Sequence, residues 1–477
     1  MDVIVVGAGS AGSVVARRLV DAGAAVTLLE AGGPDGNPAI HDPSRAGELW
    51  HGPEDWDLYT VPQLHAAGRR LHLPRGKVLG GSHALNAMIW VRGAPADYDG
   101  WGLPGWSWAD VEPVFARIEQ DLLEVVPNEP LHPVQRSIVD ACLETGLPLN
   151  PDYNSGTLDG VSVERITVRG GRRLTTWHAY GLPVASRLTV HTGALVHRLV
   201  FAGARVTGVV VSIGGAVREL RADLVVLAAG ALASPAILLR SGVGPADELR
   251  ALGIDVVADL PGVGRNLHDH LLSPVIFATD REVAPPVPGR SVTQVHWFWR
   301  SRDGLAVPDT QPICFSVPMY EPWMSGPPTG FSLMAGMVSP ESRGSLRLAP
   351  DGSPLIDLAA LSAPADFESL VASVEQCLAV GRAPALAQEW GARPRYPAPG
   401  DDLREYVRRT AITYHHQVGT CRMGTGDDAV VSPELAVHGL DGLVVADASV
   451  LPRVPTGNTN APAVLVGEQA ARYLIGG

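Results

Sequence analysis

Apolar positions order this chain clearly at its two ends and less clearly in the middle. Val3-Ile4-Val5-Val6 is an unbroken apolar run, Val14, Val15, Leu19 and Val20 then recur at helical spacing, and Val26-Thr27-Leu28-Leu29 forms a second run that stops at Glu30. Short apolar runs suit strands buried on both faces, and the spacing between them suits a helix lying over those strands. The pattern predicts a strand over Asp2–Val6, a helix over Ser10–Ala22 and a strand over Ala25–Glu30, the βαβ start of a parallel sheet. β-branched and apolar runs predict further strands at Arg187–His191, Val206–Ile213 and Leu224–Ala229, the last fully buried. From about Leu271 to Gly400, prolines and tryptophans break the pattern into short pieces such as Gln294–Trp299 and Ser345–Leu348. An apolar strand at Gly442–Ala446 and a helix at Pro462–Leu474 restore the opening style, so the middle reads as a second lobe inserted into the first.

The chain has 477 residues, 46% of them hydrophobic, which is enough for a large core in two lobes. Its net charge of -13 argues against a surface that neutralises nucleic-acid phosphates and makes a small molecule the expected partner. The apolar stretches are too short to cross a bilayer. The first strand is predicted to begin at Asp2, so no secretory leader is expected. Cys142, Cys314, Cys377 and Cys421 lack the paired spacing of a disulfide framework or zinc site, so no metal and a reducing cytoplasm are expected.

Gly7-Ala8-Gly9-Ser10-Ala11-Gly12 fits G-x-G-x-x-G, directly between the first strand and helix. Glycines there permit the tight turn, let a pyrophosphate approach the backbone and allow close helix packing, while the helix N-terminus supplies unpaired N–H groups. Glu30 ends the second strand, where a carboxylate can accept hydrogen bonds from ribose hydroxyls. The fingerprint predicts a dinucleotide site and leaves FAD and NAD both open.

Gly76-Lys77-Val78-Leu79-Gly80-Gly81-Ser82-His83-Ala84-Leu85-Asn86 and Gly230-Ala231-Leu232-Ala233-Ser234-Pro235 are two further long motifs. Val263-Gly264-Arg265-Asn266-Leu267-His268-Asp269-His270 and Ser342-Arg343-Gly344-Ser345-Leu346-Arg347-Leu348 follow them. Together they resemble the signatures of the glucose-methanol-choline (GMC) oxidoreductases, from first strand to last helix. The resemblance implies an α/β chain (α+β overall) with FAD as cofactor. Residues 1–125, 180–275 and 412–477 would form a Rossmann-type FAD-binding domain. Residues 126–179 and 276–411 would form a substrate-binding domain on an antiparallel sheet with helices. Gly80, Gly81, Ser82 and Asn86 would lie along pyrophosphate and flavin, with the Val196 backbone on adenine and Asp447 and Ala448 as late contacts. Asp447 could equally be a plain cap. Some members attach FAD through a His just before the Asn of the first signature; Leu85 stands there, and His83 lies two residues earlier, so the flavin is expected to be non-covalent.

Alcohol oxidation by hydride transfer to flavin N5 requires a base to take the hydroxyl proton, and an imidazole has a suitable pKa. His416-Gln417-Val418-Gly419-Thr420-Cys421 resembles the family segment that carries the catalytic His, which aligns with His416, although Gln417 replaces the usual Pro. His415 is adjacent and would point to the opposite side of an extended segment. In Pro455-Thr456-Gly457-Asn458-Thr459-Asn460-Ala461-Pro462, the resemblance places the second catalytic position, and a cofactor contact, at Asn460, with Asn458 as a turn residue. The expected product is an aldehyde or ketone, with O2 or a quinone as electron acceptor. His296, Trp297, Phe298, Trp299, Phe315, Tyr320 and Trp323 are candidate pocket walls favouring an apolar or aromatic alcohol. The alternatives are a hydroxynitrile lyase with redox-inert FAD, an NAD-dependent dehydrogenase and a flavin-binding protein without catalysis.

Overall fold

The computed structural model describes residues 1–287 and 289–476. The opening pattern folds as β1 (Asp2–Val6), α1 (Ser10–Asp21) and β2 (Ala25–Leu29), with β3 (Thr189–His191) on the outer edge of β2. β4 (Leu224–Leu227) pairs with the other side of β1, and β5 (Leu443–Val445) completes the parallel order β5-β4-β1-β2-β3. All four residues of β4 are buried, as a strand enclosed by layers on both faces requires. Between β4 and β5 lies α2 (Ala233–Arg240), and α3 (Asn460–Ile475) closes the chain along α1. Gly467 makes that approach possible, since a Cβ there would sit 2.8 Å from the Ala11 carbonyl oxygen.

The inserted lobe is built on an antiparallel sheet whose strands run, in spatial order, Arg393–Tyr396, Leu271–Ala278, Phe331–Met337, Ile313–Phe315, Thr293–Phe298 and Gly160–Val163. Ile412–Thr413 also pairs with the start of Leu271–Ala278. The strand Leu271–Ala278 runs across the expected boundary at 275/276, and Ile412–Thr413, just past that at 411/412, joins the same sheet. Helices Pro364–Gly381 and Pro133–Glu144 cover one face. Trp297 points there, donating from Nε1 to Gln376 Oε1 at 2.8 Å. Tyr153, His296, Phe298, Leu272, Ile313 and Tyr414 occupy the other face, towards the first lobe. No helix among the described residues is long and apolar enough to cross a membrane, and all four cysteines are free and buried.

Candidate active site

A cavity of about 760 Å³ runs between the lobes, from the ends of β1 and β2 to the antiparallel sheet. Its floor is glycine because two loops touch there. Gly7 has φ +102° and lies so close to β4 that a Cβ would be 2.4 Å from the Ala228 carbonyl oxygen, while a Cβ on Gly81 would be 2.7 Å from Gly9 Cα. The first long motif is thus stacked on the dinucleotide turn, exposing backbone amides along one wall. Glu30 is buried at the end of β2, accepting from Ala8 N at 3.0 Å and Gly32 N at 2.8 Å. Burial raises its pKa to about 7 against the pull of those two amides. Val196, Asp447 and Ala448 also line the cavity. Asp447 caps the turn after β5 through Ser449 N at 2.8 Å and also accepts from Gly230 N at 2.9 Å, so capping and a place at the cavity coexist.

At the other end, His416 is buried and its ring is held on three sides. Its backbone N–H donates to Asp269 at 2.7 Å, its ring stacks on Tyr414 with centroids 4.6 Å apart, and its Nδ1 lies 3.0 Å from His270 Nδ1. Nε2 is 3.3 Å from the Asn458 amide nitrogen. Burial first, then the neighbouring His270, His415 and Arg75, push the His416 pKa well below the ordinary imidazole value, so the ring is neutral at pH 7. Gln417 donates to Asp269 and, at 2.7 Å, to Thr413 Oγ1, anchoring the segment where the family pattern has Pro.

Three expectations change. The amide beside His416 Nε2 is that of Asn458, whereas Asn460, the first residue of α3, accepts from Ser10 Oγ at 2.7 Å beside the dinucleotide turn. Asn460 thus opens α3 against the N-terminus of α1, while Asn458 directly follows Gly457, whose φ is +108°. His415 does not simply face away from His416. Its φ of +70° breaks the extended run, and both residues line the cavity, with His415 packed edge-on to Trp50 at 5.1 Å. Of the candidate walls only Phe315 lines the cavity. Trp297 and Trp299 pack on the far side of the sheet, His296 and Phe298 lie behind Asn458 and Gln311, and Tyr320 and Trp323 pack edge-on against Tyr396. Trp50, Trp56, Ile89, Leu272, Ile313 and Tyr414 line it instead.

Two family models described as GMC oxidoreductase match residues 1–272 and 340–467. The chain belongs to the GMC oxidoreductase family. It is therefore an FAD-dependent oxidoreductase of the class acting on CH–OH groups. A GMC-type oxidoreductase of Mycobacterium tuberculosis is 38% identical, with 98% of each chain covered. Pyridoxine 4-oxidase of Microbacterium luteolum is 34% identical with the same coverage, and an oxygen-dependent choline dehydrogenase of Sinorhizobium fredii is 33% identical over 100% of this chain and 95% of its own. The crystal structure of pyridoxine 4-oxidase from Mesorbium loti superposes with a TM-score of 0.93 at 33% identity, covering 99% of this chain and 98% of that one.

The cavity fits the family's cofactor on its own terms. The glycine floor leaves room for a pyrophosphate, Glu30 lies at the end of β2 where a ribose would bind, and the buried Asn460 Nδ2 has no partner among the described residues and lines the space. Asn86 lines it further on, its carbonyl oxygen accepting from Met88 N at 2.9 Å and from the buried Arg173 at 3.1 Å. Arg173, which sequence reasoning passed over, also donates to the Ile40 and His83 carbonyls and so ties the first motif together.

Proposed function

We propose that this enzyme oxidises a neutral apolar or aromatic alcohol to the aldehyde or ketone, with His416 as the base. The observation that carries the reading is the buried His416 ring at the cavity surface, with the Asn458 amide 3.3 Å from its Nε2. The substrate hydroxyl would lie between the two side chains, its proton passing to His416 Nε2 while Asn458 holds the oxygen and stabilises its developing charge. Bound FAD supplies the acceptor for the hydride that leaves the substrate carbon. Trp50, Ile89, Leu272, Ile313, Phe315 and Tyr414 around this end would exclude water and receive an uncharged group. The lining carboxylates Glu30, Asp351 and Asp447 belong to the β2 and α2 side, which argues against a cationic substrate. His416→Ala should keep its flavin and slow anaerobic flavin bleaching by about 10²- to 10⁴-fold. An unchanged rate refutes the assignment, and peroxide formed on admitting air would mark O2 rather than a quinone as acceptor.

Non-covalent attachment is supported by the surroundings of the first motif. Leu85 packs with Ile40 and Val78, and His83 is engaged in the core, its Nε2 at 2.9 Å from Thr167 Oγ1 and its Nδ1 accepting from Thr176 N. Acid precipitation should therefore release the flavin into the supernatant; colour retained in the washed pellet contradicts this. The four free buried thiols fit a reducing cytoplasm.

A further inference from the structure

His416 needs an unprotonated Nε2 to act as a base, and a neutral imidazole has two tautomers of which only one provides it. The bonds around the ring decide between them. Gln311 Nε2 donates to Asn458 Oδ1 at 2.9 Å, so the Asn458 amide turns its N–H towards His416, and Nε2 is the acceptor there. The ring proton of His416 then resides on Nδ1, 3.0 Å from Nδ1 of the fully buried His270. Two lone pairs at that separation would repel, whereas one N–H between them bonds, so His270 accepts at Nδ1 and carries its own proton on Nε2.

We propose that His270 is a positioning residue that fixes the reactive tautomer of His416, acting as an uncharged counterpart of the carboxylate in a Ser-His-Asp triad. The proposal rests on His416 being the base. When the substrate proton arrives at Nε2, the Nδ1–H bond to His270 persists and strengthens, because its donor is now charged. The charged and titratable groups around His416 are His270 from the 266–270 segment, His415 beside it, Arg75 from the first-motif side, Asp269 on its backbone N–H, and Tyr414, whose ring stacks on it and whose hydroxyl burial keeps neutral. Of these, only His270 bonds the ring. His270 does not line the cavity, so substrate affinity should not depend on it.

The test compares His270→Asn, whose Oδ1 can take the place of the Nδ1 acceptor, with His270→Leu, which has none, both as FAD-loaded enzyme. His270→Leu should slow anaerobic flavin reduction by about 10- to 100-fold, the loss that follows removal of the partner orienting a metal-bound imidazole and less than that of the charged triad carboxylate. KM and FAD content should stay near parent values, and His270→Asn should recover most of the rate. Equal losses in both variants, or none in His270→Leu, overturn the proposal. His416→Ala run alongside separates the two ideas: if it keeps the parent rate, the base assignment falls, whereas a slow His416→Ala with a fast His270→Leu removes only the role of His270.

Discussion

Two asparagines two residues apart should give opposite phenotypes, and their comparison tests the geometry most directly. Asn458 touches His416 at 3.3 Å and is held by Gln311, whereas Asn460 is bonded to Ser10 at the dinucleotide turn. Truncating Asn458 to Ala removes a preorganised donor to the substrate oxygen. Such a donor contributes about 2.7–4 kcal/mol, or roughly 10²- to 10³-fold in rate. No bond between Asn458 and the dinucleotide turn is lost, so flavin should remain bound. Truncating Asn460 leaves the Ser10 hydroxyl without its 2.7 Å partner and removes an amide facing the cofactor space. One or two ordinary hydrogen bonds at about 1 kcal/mol each weaken FAD binding roughly five- to thirtyfold. Flavin content after gel filtration and rapid-mixing anaerobic reduction at saturating FAD separate the effects. A hundredfold rate loss in Asn460→Ala with flavin retained, beside an Asn458→Ala enzyme close to parent, would refute the placement.

The acid side of the reaction should extend below ordinary histidine titration. The base works when neutral, and a depressed His416 pKa keeps it neutral until the pH falls through that lowered value, so an acid limb at or above about pH 6.5 in flavin reduction would contradict its burial. Folding stability should fall on acidification for a related reason. His83, His268, His270, His296 and His415 are held near about 3 by burial, so their contribution is complete above the unfolded value of about 6.5 and is lost as pH falls. Glu30 at about 7, Asp97 and Asp269 at about 6 and Glu164 at about 8 have the opposite sign and offset this loss while they stay protonated only in the native state. The melting temperature should therefore change little between about pH 6 and 4.5 and drop most steeply below about pH 4, where the carboxyls are protonated in both states; a flat profile from about pH 4.5 to 3 argues against the buried neutral imidazoles. Gly81→Ala puts a Cβ 2.7 Å from Gly9 Cα at a φ of +55°, so it should lower FAD content far more than melting temperature; full flavin loading would show that the two loops can part.

The parallel sheet was legible because its strands lie between layers, which leaves them as uninterrupted apolar runs, and because glycines mark each place where the backbone must pass within about 3 Å of another. Gly7, Gly81 and Gly467 are of this kind, and motifs record the first two since no other residue fits. The inserted sheet was harder to read. Its long strands Leu271–Ala278 and Phe331–Met337 are almost wholly buried, and so is most of the helix Pro364–Gly381 behind them, so the alternation that normally reveals an antiparallel strand is missing. The catalytic end was half legible. A histidine in a motif announces itself, but which amide faces it depends on where α3 begins, and Gly457-Asn458-Thr459-Asn460 allows either. The segment 266–270 shows the same limit from the other side. Asp269 holds the His416 backbone, His270 its ring, and His268 Nε2 accepts from Val454 N at 2.9 Å at the entry to the Asn458 turn. One short stretch thus positions both arms of the site, through contacts spanning some 150 to 190 residues that no local pattern encodes. That shared support is why base and amide should be disturbed together by changes in 266–270, and separately by changes at Asn458 or His416 themselves.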